Sequence, residues 1–257
     1  MKNRIQQSVH TLSIAVATAT LLSLAGISAL GQRDNADLGI LPPDSFPFGK
    51  SYTEWSEAHW RWVYSIPASN HPAFQDGDID LSQYQPAGPV WFLIGSFSAT
   101  PVSSGVLATA HRTATVPRGK ALFFPIIDAE ASTAEGNGST EAELTAAAES
   151  FIEPTSDLTC EIDGHPVQDV ACFHFISPIF TWGPLPADNL LGLPAGTSSP
   201  SVSDGYFLMM APLSTGRHTV HFTGTAGISP NAFTLDITYD LTVQPKGPCD
   251  KDDGEAP

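Results

Sequence analysis

SYTEWSEAHWRWVYSI, residues 51–66, holds three of the chain's five tryptophans between Trp55 and Trp62, and it dictates what the remainder of the protein must supply. Ser51 with Glu54 three positions on is a capping box, in which the hydroxyl accepts from the Glu54 amide and the carboxylate returns to the Ser51 amide. That fixes a helix start. Tyr52, Trp55, His59 and Trp62 then follow at spacings of three, four and three, with Val63 beside them, so they share one stripe of a helical surface. Pro67 ends the helix, and Glu57 with Arg61 on the far side forms an i,i+4 pair. Each buried tryptophan removes about 150–250 Å² from water, so such a helix needs a broad apolar face, which a sheet provides. Trp60 stands off the stripe. It reads either as further core or as a more exposed platform on which a sugar or another flat ligand stacks.

The sheet is legible in two apolar runs. VWFLIGSF (90–97) and the segment Ala121–Ile127 both lack polar interruption, as strands buried on both faces do, and they are expected to lie side by side. Pro125 weakens the second run as a strand. It leads into Asp128 and Glu130, two carboxylates on one side of the chain where a core strand ends, which suits general acid/base residues or metal ligands and equally an ordinary acidic surface loop. Thr140 with Glu143 is a second capping box, followed by the apolar stripe Leu144, Ala147, Ala148 and Phe151, closed by Pro154. From Leu158 the pattern becomes strands: LTCEIDG and VQDVACFHFI as a hairpin, then DGYFLMMAPL, RHTVHFTG and FTLDITYDLTV. The last alternates cleanly, with Phe233, Leu235, Ile237, Tyr239 and Leu241 on one face and Asp236 and Asp240 on the other. These elements predict a mostly β fold, a β-sandwich or jelly-roll-like architecture, with one or two packed helices.

Composition bounds the setting. Lys2 and Arg4, an apolar run and Ala29-Leu30-Gly31 give residues 1–31 the look of a signal peptide, so residues 32–245 are read as one β-rich domain and 246–257 as an acidic disordered tail. The apolar run is shorter than the ~20 residues a membrane span requires, and the expectation is a soluble protein, secreted or periplasmic. Removing Lys2 and Arg4 takes the formal charge from −16 to −18. Such a surface repels nucleic acid and anionic membranes, while cationic partners and divalent metals stay open. Cys160 and Cys172 flank a turn at Asp163-Gly164, and export permits their disulfide, which leaves Cys249 in the tail either to dimerise the protein or to stay free.

Candidate sites are few. Residues 67–89 form a long proline-rich loop, and such loops are commonly functional or disordered. Within it Asp76, Asp78 and Asp80 alternate like the opening of a calcium loop, but Leu81 and Ala87 occupy the positions of the required glycine and glutamate. The alternatives are a bound calcium and a solvated acidic loop. Gly49-Lys50-Ser51 imitates the end of a phosphate loop without its first glycine, and G-x-S-x-G and H-E-x-x-H are absent. His59 falls on the apolar stripe, His218 reads as a core or turn histidine, and His221 suggests a surface cluster with Tyr239 or His174.

The segments YTEWSEAHWRWVYSIP, GPVWFLIGSF, VPRGKALFFPIID, SDGYFLMMAPLSTGRHTVHF and FTLDITYDLTV resemble, in their order, a group of exported bacterial proteins of unknown function. The resemblance spans most of the mature chain and implies a common scaffold, with the tryptophan helix and the PIIDAE strand end as parts of it. It lends no catalytic residues.

Three functions fit the sequence. A binding module would present Trp60, Trp182 and Tyr206 to an extracellular small molecule, a glycan or another polymer. A hydrolase would use Asp128 and Glu130 with the Asp76–Asp80 loop, metal-assisted or not. A structural envelope protein needs neither. The oligomeric state is not encoded in any of these patterns. Mass spectrometry of the exported protein should find a mature chain beginning near Gln32; an intact Met1–Gly31 segment would contradict this reading.

Overall fold

The architecture follows from a computed structural model that describes Asn35–Gln244. The signal-like segment, the acidic tail and Cys249 lie outside the described residues. Helix α1 (Tyr52–Ser65) is capped by Ser51 and Glu54 in the reciprocal arrangement expected of a capping box. Helix α2 (Glu141–Ile152) starts in the same way at Thr140 and Glu143. Twelve strands make two sheets.

Sheet one contains β2 (Val90–Phe92), β5 (Ala121–Ser132), β8 (His174–Ile176), β9 (Phe180–Trp182) and β10 (Ser199–Met210). Its order is β2-β5-β10-β8, with β9 also paired to β10. The two apolar runs are neighbours, as expected, with β2 parallel to β5 and Val90 opposite Ala121. But β2 ends at Phe92 rather than Phe97, and β5 runs past Ile127 to Ser132, so Asp128 and Glu130 lie within the strand and not at its end. Sheet two runs β1 (Gly77–Asp78), β4 (Gly105–Val116), β12 (Ala232–Val243), β11 (Gly216–Ala226), β6 (Thr155–Ile162), β7 (His165–Pro166), and β3 (Ala99–Val102) pairs with β4.

These parts stack in layers. Helix α1 covers one face of sheet one, where Tyr52, Trp55 and His59 all pack around the Phe123 ring. The opposite face meets sheet two, with Phe124 stacked on Phe222 at 5.3 Å. Beyond that contact α2 takes over, burying Leu144 and Ala148 against Ala131 and Val202. One contiguous apolar core joins α1 to both sheets.

A β-bulge decides which way the acids of β5 point. Tyr206 of β10 faces Ile127 while Phe207 faces Pro125, so Ile126 is an extra residue in β5. Side chains alternate along a strand, and one inserted residue reverses the phase beyond it. Phe123 and Pro125 face α1 before the bulge. After it Asp128 and Glu130 do, instead of turning toward sheet two.

The turn expected at Asp163-Gly164 forms, with both residues at positive φ, 53° and 78°, as a two-residue turn of the I′ type requires. Its return arm, however, is His165–Pro166, and VQDVACFHFI instead gives a 3-10 turn and then β8 of sheet one. The disulfide does not form. Strand β7 lasts two residues and the chain then leaves the ladder, so Cys160 stays buried in the core while Cys172 sits exposed on a short 3-10 turn; both are free thiols. Phe151, placed by periodicity on the apolar stripe of α2, is 48% exposed, because α2 meets the sheet through Leu144, Ala148 and Ile152.

Arg112 was not singled out by any sequence pattern, yet it is fully buried between the layers. Its Nε donates to Gln75 O, Nη1 to Ile94 O and the Tyr239 hydroxyl, and Nη2 to Gly95 O, all at 2.8–3.0 Å. Five N–H groups in a planar fork suit this set of acceptors, and a lysine does not reproduce it. Arg112→Met should lower the unfolding free energy by more than about 3 kcal/mol in urea titrations, since the Gln75 and Gly95 carbonyls lose their donor inside the protein and Ile94 O keeps only that of Tyr239. A loss under about 1 kcal/mol would contradict this role.

Candidate functional site

Helix α1 presents three flanks, and each makes a different environment. The first meets the acids of β5. Tyr64 donates its hydroxyl proton to Glu130 Oε2 at 2.7 Å, and Trp182 of β9 donates its indole N–H to Oε1 at 2.7 Å. Ser201 of β10 adds a short contact to Oε1. Tyr64 lies between two indoles, its ring 5.4 Å from Trp60 and 5.0 Å from Trp182. Burial drives the Glu130 carboxyl well above the usual carboxylate range, with Glu135 beside it reinforcing the shift and the Ser201 and Tyr64 hydrogen bonds opposing it.

On the second flank, Asp128 shares a small enclosed cavity of ≈ 80 Å³ with His59 and Trp60. Strand β10 makes room through Gly205, where a Cβ would come within 2.5 Å of the Asp128 Cβ. Asp128 Oδ2, His59 Nδ1 and Trp60 Nε1 are buried without a hydrogen-bond partner among the described residues. Desolvation raises the Asp128 carboxyl to about 8 and lowers the His59 imidazole to about 4. His59 Nε2 bonds Leu93 O at 2.9 Å.

The third flank is open. Trp55, Ala58 and Trp62, one stripe of α1, form the floor of a groove of ≈ 620 Å³ whose walls are Phe48–Lys50 and the Tyr84–Val90 loop. The floor tryptophans hold the walls. The Trp55 indole N–H donates to Pro47 O at 2.9 Å and that of Trp62 to Tyr84 O at 3.0 Å. Gln85 clamps the far end of the loop with two 2.8 Å bonds to the backbone of Phe92. Phe48 is held at φ 54°, ψ 32°, the left-handed region in which a bulky residue costs about 1–3 kcal/mol, and its ring remains 47% exposed at the rim.

Several expected sites fall elsewhere. Trp60 is 7% exposed, the same as Trp55, which corrects its placement nearer to solvent. Two faces of a fourteen-residue helix are wedged between sheet and loop, so the position off the main stripe is covered as well. Trp182 is fully buried beside Glu130. Tyr206 is 8% exposed on the opposite face of sheet one, stacked on His174 at 4.6 Å, and His174 in turn bonds buried Asp204 at 2.6 Å. None of the three is an exposed platform.

Asp76, Asp78 and Asp80 do not converge either. Asp76 accepts from His111 N, Asp78 from the Thr113 hydroxyl and Asp80 from Ser82 N, because β1 lies along β4 at the edge of sheet two and this segment spends its carboxylates on local donors. Among the described residues no group of three or more His, Cys, Asp or Glu side chains is arranged to hold a metal ion. His221 bonds Asp236, and His218 bonds Asp163 in the hairpin turn.

Sequence reasoning missed Tyr64, Ser201 and Glu135, and it marked the proline-rich loop containing the Tyr84–Val90 wall without naming any of the wall's residues. Tyr64 alone carried a signal, since it follows Trp60 by four residues and so shares its flank.

No protein-family model and no curated protein matches the chain. A solved chain described as "Structure of PbICP-C in complex with falcipain-2" is similar at 12% identity, covering 60% of this chain and 98% of that one, with a TM-score of 0.22. A likeness so slight carries no argument.

The buried acid generates a pH prediction. Asp128 has its folded value raised from 3.8 to about 8, so its favourable contribution to stability is complete below about pH 4 and is lost as pH rises to about 8. Asp128→Asn removes this loss. Denaturant unfolding at pH 4 and pH 8 should show the variant gaining on the parent by on the order of 2 kcal/mol at the higher pH. A constant difference across the range would mean that Asp128 is ionised in the folded protein.

Proposed function

We propose that this is an exported binding protein that takes an extended ligand, a glycan or a similar polymer, in the groove on the outer flank of α1. The groove carries the proposal. Its ≈ 620 Å³ lies within the range of ligand sites, and its exposed aromatic surface is the Phe48 ring at the rim, backed by the edges of the largely buried Trp55 and Trp62. Both walls are tied by indole N–H bonds, so the shape exists before a ligand arrives and little ordering cost is left for binding. Strained Phe48 is consistent with a rim residue retained for contact, because the fold gains nothing from an exposed ring in a left-handed conformation.

Hydrolysis by Asp128 and Glu130 is the weaker reading. Both oxygens of Glu130 are occupied by Tyr64, Trp182 and Ser201 under the helix, and Asp128 lines a cavity of ≈ 80 Å³, too small for a polymer. An envelope role would leave a rigid aromatic groove without use. Export and a soluble extracellular or periplasmic location rest on residues 1–31; among the described residues no helix is long and apolar enough to cross a membrane.

Phe48→Gly separates binding from folding. Glycine adopts φ 54° without strain, so the variant should melt at the parent temperature or slightly above it. Its affinity for the best ligand from a glycan panel should fall by about 10-fold in calorimetric titration, as loss of a stacked aromatic contact entails. Undiminished affinity would remove the groove as the site.

A further inference from the structure

We propose that the groove selects an acidic ligand, a polysaccharide whose rings bear carboxylates, and that Lys50 and Arg61 are the residues that select it. This rests on the binding reading above and adds the ligand's charge.

The chain has a formal charge of −16, so cations on its surface are scarce. The basic side chains of the described residues are Lys50, Arg61, Arg112, Arg118, Lys120 and Arg217. Arg112 is buried in the core. Of the five that reach the surface, Lys50 and Arg61 line the groove, and no aspartate or glutamate lines it with them. Lys120 reaches the same wall, its Nζ donating to Gly88 O. An acidic protein thus places two of its few surface cations on the lining of this groove.

The two lining cations are also held in position. Lys50 Nζ sits over the Trp55 ring at 5.7 Å, a cation–π contact that keeps the ammonium at the groove mouth. Arg61 is clamped by Nε donating to Thr181 O at 2.8 Å, by Nη2 paired with Glu57 at 3.0 Å, and by stacking over Phe180 at 5.1 Å. Its Nη1 makes no hydrogen bond among the described residues. Glu57 beside Arg61 and Glu54 near Lys50 offset part of the charge at a distance. Selection therefore acts at contact, through charge-assisted hydrogen bonds to ligand carboxylates, rather than by long-range steering. A neutral sugar meets the same groove and the same Phe48 rim but leaves both cations unused.

Calorimetry of the intact protein with oligogalacturonate and with a cello-oligosaccharide of equal length tests this. The acidic oligomer should bind at least about 10-fold more tightly, and the preference should shrink as salt rises. Lys50→Gln and Arg61→Gln, each checked by its melting curve, should each weaken the acidic oligomer about 10-fold while leaving the neutral one within about 2-fold. Equal affinity for the two oligomers, or a preference that survives both substitutions, would overturn the assignment of charge and leave the binding groove standing. Binding of neither oligomer would overturn both.

Discussion

Two indole N–H groups hold together the groove on the outer flank of α1. Trp55 and Trp62 lie seven residues apart on α1, two helical turns, so their rings project from the same flank, and each donates to a carbonyl on a different side of it, Pro47 and Tyr84. A tryptophan buried without a partner for its N–H pays a desolvation cost, as Trp60 does, and these two bonds spare Trp55 and Trp62 that cost. The lead-in around Pro47 and the loop around Tyr84 have almost no regular structure of their own. Their positions are set by the helix. The groove is the space left between two walls that the same helix anchors.

The inner flank works by the opposite logic. There α1 closes over carboxyls, and the cost of burying them falls on their charge. The bulge at Ile126 turns Asp128 and Glu130 beneath the helix, where desolvation favours their protonated forms. A neutral carboxyl is a hydrogen-bonding group that a largely apolar interface tolerates, and Tyr64, Trp182 and Ser201 complete its bonding at Glu130. The helix is thus bound to sheet one by polar contacts that weaken with rising pH and by aromatic packing that does not.

Local chemistry was legible in the sequence wherever a few adjacent residues decide it. Both capping boxes, the pairing of the two apolar runs and the Asp163-Gly164 turn formed as their residue types dictate. What failed depends on chain direction after a turn or on what covers a side chain. Cys172 misses Cys160 because β7 ends after two residues, and Trp60 is buried because a loop covers a flank that helical periodicity leaves exposed. Tyr206 lies on the wrong face for a site shared with Trp182, since it pairs with His174 while Trp182 pairs with Ser199. The acids of β5 were visible as a pair, but their direction was not, because the bulge that orients them arises from pairing with β10. Lys50 and Arg61 gave no signal as partners, being eleven residues apart on either side of a helix start.

The account's central claim is that ligand contact is confined to the open flank of α1 and the two walls it anchors. Hydrogen–deuterium exchange of the full chain, with and without saturating oligogalacturonate, locates that contact directly. Protection should appear in residues 46–50 and 84–90, the segments held by Trp55 and Trp62, with the outer face of sheet two unchanged. Protection centred on β4, β11 and β12 instead, with both walls exchanging as in the free protein, would contradict it.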